Sequence, residues 1–244
     1  MIQEAYVTGV AVMLPGETNA CREHANPAWV EKEFKPDEIL GKRGYSFKDR
    51  ATLLALCTVQ RTIEDAGLDP ACFENRSDAA VVVSTNLGNL DTIHDAVQTL
   101  RIHGYKELNS IDTPKASSNV IASNIAIRHK LWGPNFTICN GSSSGTDAVY
   151  IAGTLIRSAR ARRVFVVGVE SKNEVMEHLL QAEQGRWVTP GEAYRIADGA
   201  ACLLLESRDA MLERGGTPYA RVGRYFKGMN FAKDLVAGEH GLKS

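Results

Sequence analysis

The chain of 244 residues carries 28 basic against 29 acidic side chains, a net charge of −1. That balance removes the electrostatic ground for a nucleic-acid ligand, which needs a basic surplus, and no apolar run reaches the ~20 residues of a membrane span. Hydrophobic residues at 44% and charged residues at 23% are ordinary for a soluble globular chain, and the length suffices for one substantial core. The opening MIQEAYVTGVAVMLPG puts Glu4 where a secretory signal would be basic, and reads as a first strand. The five cysteines, Cys21, Cys57, Cys72, Cys139 and Cys202, are scattered without a CxxC pair. This argues against a disulfide framework or a zinc site and for a reducing cytoplasm; no metal or cofactor is expected.

No repeat or polar linker divides the chain, so residues 1–244 read as a single domain with its core over about 5–228 and a weakly patterned tail after Gly228. In chain order, residues 5–13 form an apolar strand, and residues 18–47, rich in charge, Pro and Gly, form a surface excursion. A helix spans about Asp49 to Ala66, with Leu53, Leu56, Val59 and Ile63 on one face and Gly67 and Pro70 ending it. The run AAVVVS (79–84) is a strand buried on both faces. The polar turn TNLGNL (85–90) leads into a helix at roughly 91–103, and a helix of small residues runs from about Ser118 to Lys130. Next come a strand over Asn135–Cys139, a long helix to about Ala161 and a strand over 163–171. Residues 172–195 are mixed loop and helix, followed by turn plus strand at 197–207, a short helix at 209–214 and a strand at 218–225. Strands separated by helices predict an α/β layered fold, with a mostly parallel buried sheet and helices on both faces.

The segment GPNFTICNGSSSGTDAVYIA (133–152) carries the chemistry that can be read locally. An apolar strand runs into a Gly/Ser turn that opens a helix, aiming backbone N–H groups and the positive helix end at one point. One reading is plain helix capping by Asn140 or a serine. A second takes Gly141-Ser142-Ser143-Ser144-Gly145 as a G-x-S-x-G elbow centred on Ser143.

A third reading comes from a wider likeness. The segments DRATLLALCTVQRTIEDAGLDP (49–70), AAVVVSTNLGNLDT (79–92), SNVIASNIAIRHKLWGPNFTICN (118–140), RRVFVVGVES (162–171) and IADGAACLLLE (196–206) follow in the order and spacing of the N-terminal half of a β-ketoacyl synthase. The chain resembles that family, and the resemblance implies a layered thiolase-like fold and a place in fatty-acid or polyketide biosynthesis. In such enzymes a cysteine after the strand-to-helix turn takes an acyl group from acyl carrier protein as a thioester; the matching position here is Ser142. A thiol with an ordinary pKa of about 8.5 ionises near a helix N-terminus, whereas a serine hydroxyl needs a hydrogen-bonded base. Cys139 is expected in the core, at the end of its strand.

The resemblance also implies two histidines for decarboxylative condensation in the C-terminal half, and no segment before Ser244 matches them. Of His24, His94, His103, His129, His178 and His240, His129 reads as a C-terminal helix cap, and His178 as a base for Ser142 only if its loop folds back. Asp198-Gly199 reads as backbone support behind the nucleophile helix. Arg157, Arg160 and Arg163, with Arg162, read as a solvated helix end or as a receiver for acidic carrier protein. Implied partners are acyl carrier protein or acyl-CoA, and a homodimer or a heterodimer with a full-length ketosynthase, paired through Asn135–Cys139. In the family, the segment matching Thr113–Asn119 contributes to the neighbour's acyl pocket. The expectation is therefore a ketosynthase-like partner or chain-length-type subunit lacking full condensing activity; the alternatives are a serine acyltransferase or hydrolase using Ser142, and a non-catalytic carrier-binding protein.

Overall fold

The computed structural model describes residues 3–14, 30–31, 34–44, 48–73, 76–86, 88–109, 113–182 and 197–226. The tail after Gly228, residues 183–196, and Cys21, His24 and His240 lie outside the described residues. Strands β1 (Ala5–Met13), β2 (Val30–Glu31), β3 (Ala79–Ser84), β4 (Asn135–Ile138), β5 (Arg163–Glu170), β6 (Gly199–Ser207) and β7 (Ala220–Arg221) form one sheet. Its order is β2-β1-β6-β5-β3-β4, with β7 also pairing β1. The helices are α1 (Pro36–Leu40), α2 (Arg50–Asp65), α3 (Leu90–His103), α4 (Val120–His129), α5 (Ser144–Arg157), α6 (Glu174–Ala182) and α7 (Arg208–Glu213). Among the described residues, no helix is long and apolar enough to cross a membrane.

The sheet is mixed, where the sequence predicts a mostly parallel one. Strand β3 runs parallel to β4 and β5, but β6 returns antiparallel between β1 and β5. An apolar run reports burial on both faces and says nothing of strand direction, so β6 gave no sign of its reversal. The final strand is also shorter than expected, pairing only at Ala220 and Arg221.

Period-two alternation divides the sheet's side chains between two cores. Val81, Val83, Phe165, Val167, Cys202 and Leu204 pack with Leu54, Val59 and Ile63 of α2 and Ile121 and Ile125 of α4. Ala80, Val82, Val164, Val166 and Leu205 pack on the other side with Ala148, Ala152, Leu155 and Ile156 of α5. Helix α2 starts where Asp49 caps it, accepting from Thr52 N at 2.8 Å and Thr52 Oγ1 at 2.7 Å. It is buried beyond its apolar stripe, because Thr58 and Thr62 return their hydroxyls to the carbonyls of Leu54 and Thr58.

Candidate active site at the start of helix α5

Helix α5 begins beside the C-terminal ends of β3 and β5, and the small side chains Ala148 and Ala152 let it lie close on the sheet. The chain reaches it from β4 through Asn140 and a single tight turn at Gly141–Ser143. Gly141 has φ +67°, the left-handed region that a side chain disfavours, which accounts for glycine at the corner.

The three serines that follow differ in surroundings. Ser142 is exposed and lines a cleft of about 500 Å³. The cleft is walled by Val12 and Leu14 of the first strand and its end, Gly168–Glu170 of β5 and Ala200–Ala201 of β6. Among the described residues no hydrogen bond holds the Ser142 hydroxyl. Ser143, the centre of the G-x-S-x-G reading, is not among the cleft-lining residues; its hydroxyl donates to Asp147 Oδ2 at 2.9 Å. Asp147 Oδ1 accepts from the Tyr225 hydroxyl, and the Tyr225 ring stacks on Tyr150 with centroids 4.8 Å apart. Ser144, buried, is the structural member: its Oγ accepts from Asn140 N at 2.6 Å and can donate to Gly141 O at 2.8 Å or Asn86 Oδ1 at 3.0 Å. Capping and nucleophile readings thus fall on different serines of one turn.

Asn86, at the end of β3, is the residue the sequence reading missed. Its Oδ1 accepts from Gly141 N at 3.0 Å, and its Nδ2 donates to Gly141 O at 3.2 Å. Its own backbone N–H donates to Glu170 Oε1 at 2.6 Å, while Thr85 Oγ1 reaches Glu170 Oε2 at 3.4 Å. A carboxylate closing the apolar run RVFVVGVES was visible in the sequence as a possible signal; its partner across the sheet was not.

The remaining expected residues separate. Cys139 is exposed rather than in the core, with its thiol 3.7 Å from Asn86 O, because β4 is the edge strand and its end has no outer neighbour among the described residues. His129 is not a charged helix cap. It is buried, near the Phe165 ring, and burial first, then the Arg128 charge, lower its pKa to about 4. The C-cap is Lys130, in the left-handed conformation, its N–H returning to Ala126 and Ile127. His178 is exposed on α6 and does not line the cleft. Asp198 supports backbone as expected, accepting from Lys172 N at 2.8 Å and pairing with Arg50 at 2.6 Å.

The arginine run is divided. Arg160 is exposed, and Arg157 lies over the Tyr150 ring at 6.0 Å. Arg162 pairs with Glu213 at 2.5 Å. Arg163 is withdrawn from the expected surface: its side chain is buried and bonded to Glu206 Oε1 at 2.8 Å. As the first residue of β5 it follows the strand inward, while its sequence neighbours remain on the turn.

Comparison with known proteins accords with this arrangement. The chain is 26% identical over 207 residues to a 3-oxoacyl-[acyl-carrier-protein] synthase 2 of Rhizobium meliloti, covering 79% of this chain and 49% of that protein. It therefore spans about half the length of the curated relatives it matches. Two solved structures share the fold. One is the ishigamide ketosynthase/chain length factor, with TM-score 0.71 and 22% identity over 90% of this chain and 65% of that one. The other is a type II PKS acyl-carrier protein in complex with its ketosynthase bound to the hexaketide, with TM-score 0.74 and 17% identity over 91% of this chain and 68% of that one. The family described as beta-ketoacyl synthase, N-terminal domain, matches residues 16–211, a span that takes in the turn at Gly141–Ser143, helix α5 and the β5 and β6 walls of the cleft. The chain belongs to the beta-ketoacyl synthase N-terminal domain family.

Proposed function

We propose that the protein is a ketosynthase-like subunit of fatty-acid or polyketide biosynthesis that does not itself complete condensation and works beside a ketosynthase, as a chain-length-type partner does. The observation that carries this reading is Ser142. It stands in the cleft, at the position matching the family's acyl-accepting cysteine, and no base among the described residues touches its hydroxyl. A hydroxyl without a base stays protonated, and a helix end worth roughly 0.3–1 kcal/mol does not ionise it. The edge of β4, which has no outer neighbour among the described residues, supports pairing with a ketosynthase or a second copy. Arg157 and Arg160 support a docking place for an acidic carrier protein; Arg163 drops out of that set. Co-expression with a ketosynthase from the same cell, followed by co-purification, tests the reading. A protein that stays monomeric and captures no ketosynthase overturns it.

The exposure of Ser142 to the cleft favours one other reading, a serine acyl acceptor. Ser142 Oγ would attack the carbonyl of an acyl thioester, the C–S bond would break, and the hydroxyl proton would leave with the thiol as the ester forms. Mass spectrometry after incubation with hexanoyl-CoA decides: an ester on Ser142 supports it, and its absence rejects it. Ser142→Cys is expected to load faster than wild type under either reading, since a thiol at this helix start ionises readily.

A further inference from the structure

We propose that Asn86 is the positioning residue of the nucleophile turn, a clamp that fixes how Ser142 is presented to the cleft. The inference deepens the acyl-acceptor reading of Ser142 and rests on it only for its kinetic part. From outside the turn, the Asn86 side chain engages both flanks of Ser142: Gly141 before it, through N–H and C=O together, and Ser144 after it, through Oγ. Ser144 in turn takes the Asn140 N–H, so when its hydroxyl donates to Asn86 Oδ1 the same acceptor also bears on the bond from Asn140.

The clamp is itself anchored. The Asn86 N–H is held by Glu170 Oε1 at the end of β5, so the backbone that carries the amide is tied to β5 as well as to β3. Its carbonyl receives the Cys139 thiol, which joins the end of β4 to the same residue. The turn hangs from a strand with one hydrogen-bonded neighbour among the described residues, β3. Gly141, at φ +67°, offers no side chain to restrain it. Fixed geometry at Ser142 thus comes from Asn86 rather than from the strand or the glycine. An asparagine suits the task because it supplies an acceptor and a donor from one planar group, matching the N–H and C=O of Gly141.

Amide hydrogen exchange followed by NMR tests the clamp. Asn86→Ala is expected to speed exchange at Asn140 and Gly141 on the order of tenfold, the net worth of about one hydrogen bond, with Val82 and Val166 in the neighbouring strands unchanged. Asn86→Asp keeps the acceptor used by Gly141 N–H and Ser144 Oγ but loses the donor to Gly141 O, and is expected to exchange at a rate between those of wild type and Asn86→Ala. Unchanged exchange at Asn140 and Gly141 in Asn86→Ala overturns the proposal, as does an Asp variant that exchanges as fast as the Ala variant. With hexanoyl-CoA, Asn86→Ala should lower the saturating rate of Ser142 ester formation by a similar factor with little change in half-saturation; an equal rate also overturns it. If wild type forms no ester, the acyl-acceptor reading fails, and the exchange result alone decides the clamp.

Discussion

Arg163 and Glu206 stand opposite each other across the β5–β6 ladder, joined Nε to Oε1 at 2.8 Å, with the Glu206 side chain fully shielded from solvent. Thr8 and Arg214 take the other carboxylate oxygen at 2.7 and 2.8 Å. Burial alone would push the Glu206 carboxyl up; the bonds from Arg214, Thr8 and Arg163 outweigh it and hold it below its ordinary value. Arg163→Met should cost about 3 kcal/mol, because a buried charge loses a partner. Urea unfolding measures it, and a loss below about 1 kcal/mol would show that Arg214 suffices.

His129 makes the fold sensitive to mild acid. The unfolded chain binds a proton near pH 6.5, whereas the folded one resists until about pH 4. Stability is therefore complete above pH 6.5 and falls as pH drops toward 4, by ~3 kcal/mol in all. The ring lies 6.2 Å from that of Phe165, and its Nε2 has no partner among the described residues. His129→Phe should flatten the dependence of the urea midpoint on pH in that window. Parallel profiles for variant and wild type would contradict the assignment. Glu206 adds a separate loss lower down, as pH falls through its depressed pKa.

Two glycines should respond oppositely to alanine. At Gly133 a Cβ would collide with the Ala79 carbonyl oxygen, the same atom that accepts the Gly133 N–H at 3.1 Å. Backbone must move, and Gly133→Ala should lose about 2 kcal/mol or more. At Gly168, facing the cleft, a Cβ meets nothing within 4 Å, so Gly168→Ala should hold or slightly raise the melting temperature. Equal melting of the two variants would be inconsistent with these contacts.

Phe136 is 39% exposed on the outer strand β4. If association uses that edge, Phe136→Asp should weaken self-association or ketosynthase capture in sedimentation while shifting stability by less than about 0.5 kcal/mol. Undiminished association would move the interface elsewhere.

Local chemistry was legible in the sequence where one segment decides it. Asp49 and Gly67 bracket α2 as read, and the apolar run at 79–84 is buried throughout. The strand-turn-helix around Ser142 lies where the Gly/Ser string put it. What escaped depends on neighbours distant in sequence. Cys139 is exposed because β4 is outermost, and strand order is not written in an apolar pattern. Arg163 is buried because Glu206, far along the chain, awaits it. Asn86 looked like any turn residue, since its partners stand more than fifty positions away. His129 reads as a C-terminal cap from its place at the end of α4, but it is buried with Phe165 of the sheet nearby.

Among the described residues, the strand that delivers Ser142 is joined to the sheet along one side only. Any chain that adds itself to the open side of β4 would therefore restrain the segment leading into the turn, at no distance from the chemistry. Assembly and reactivity would then share a single mechanical element, and a change in company could be felt at Ser142 without any movement of the cleft walls.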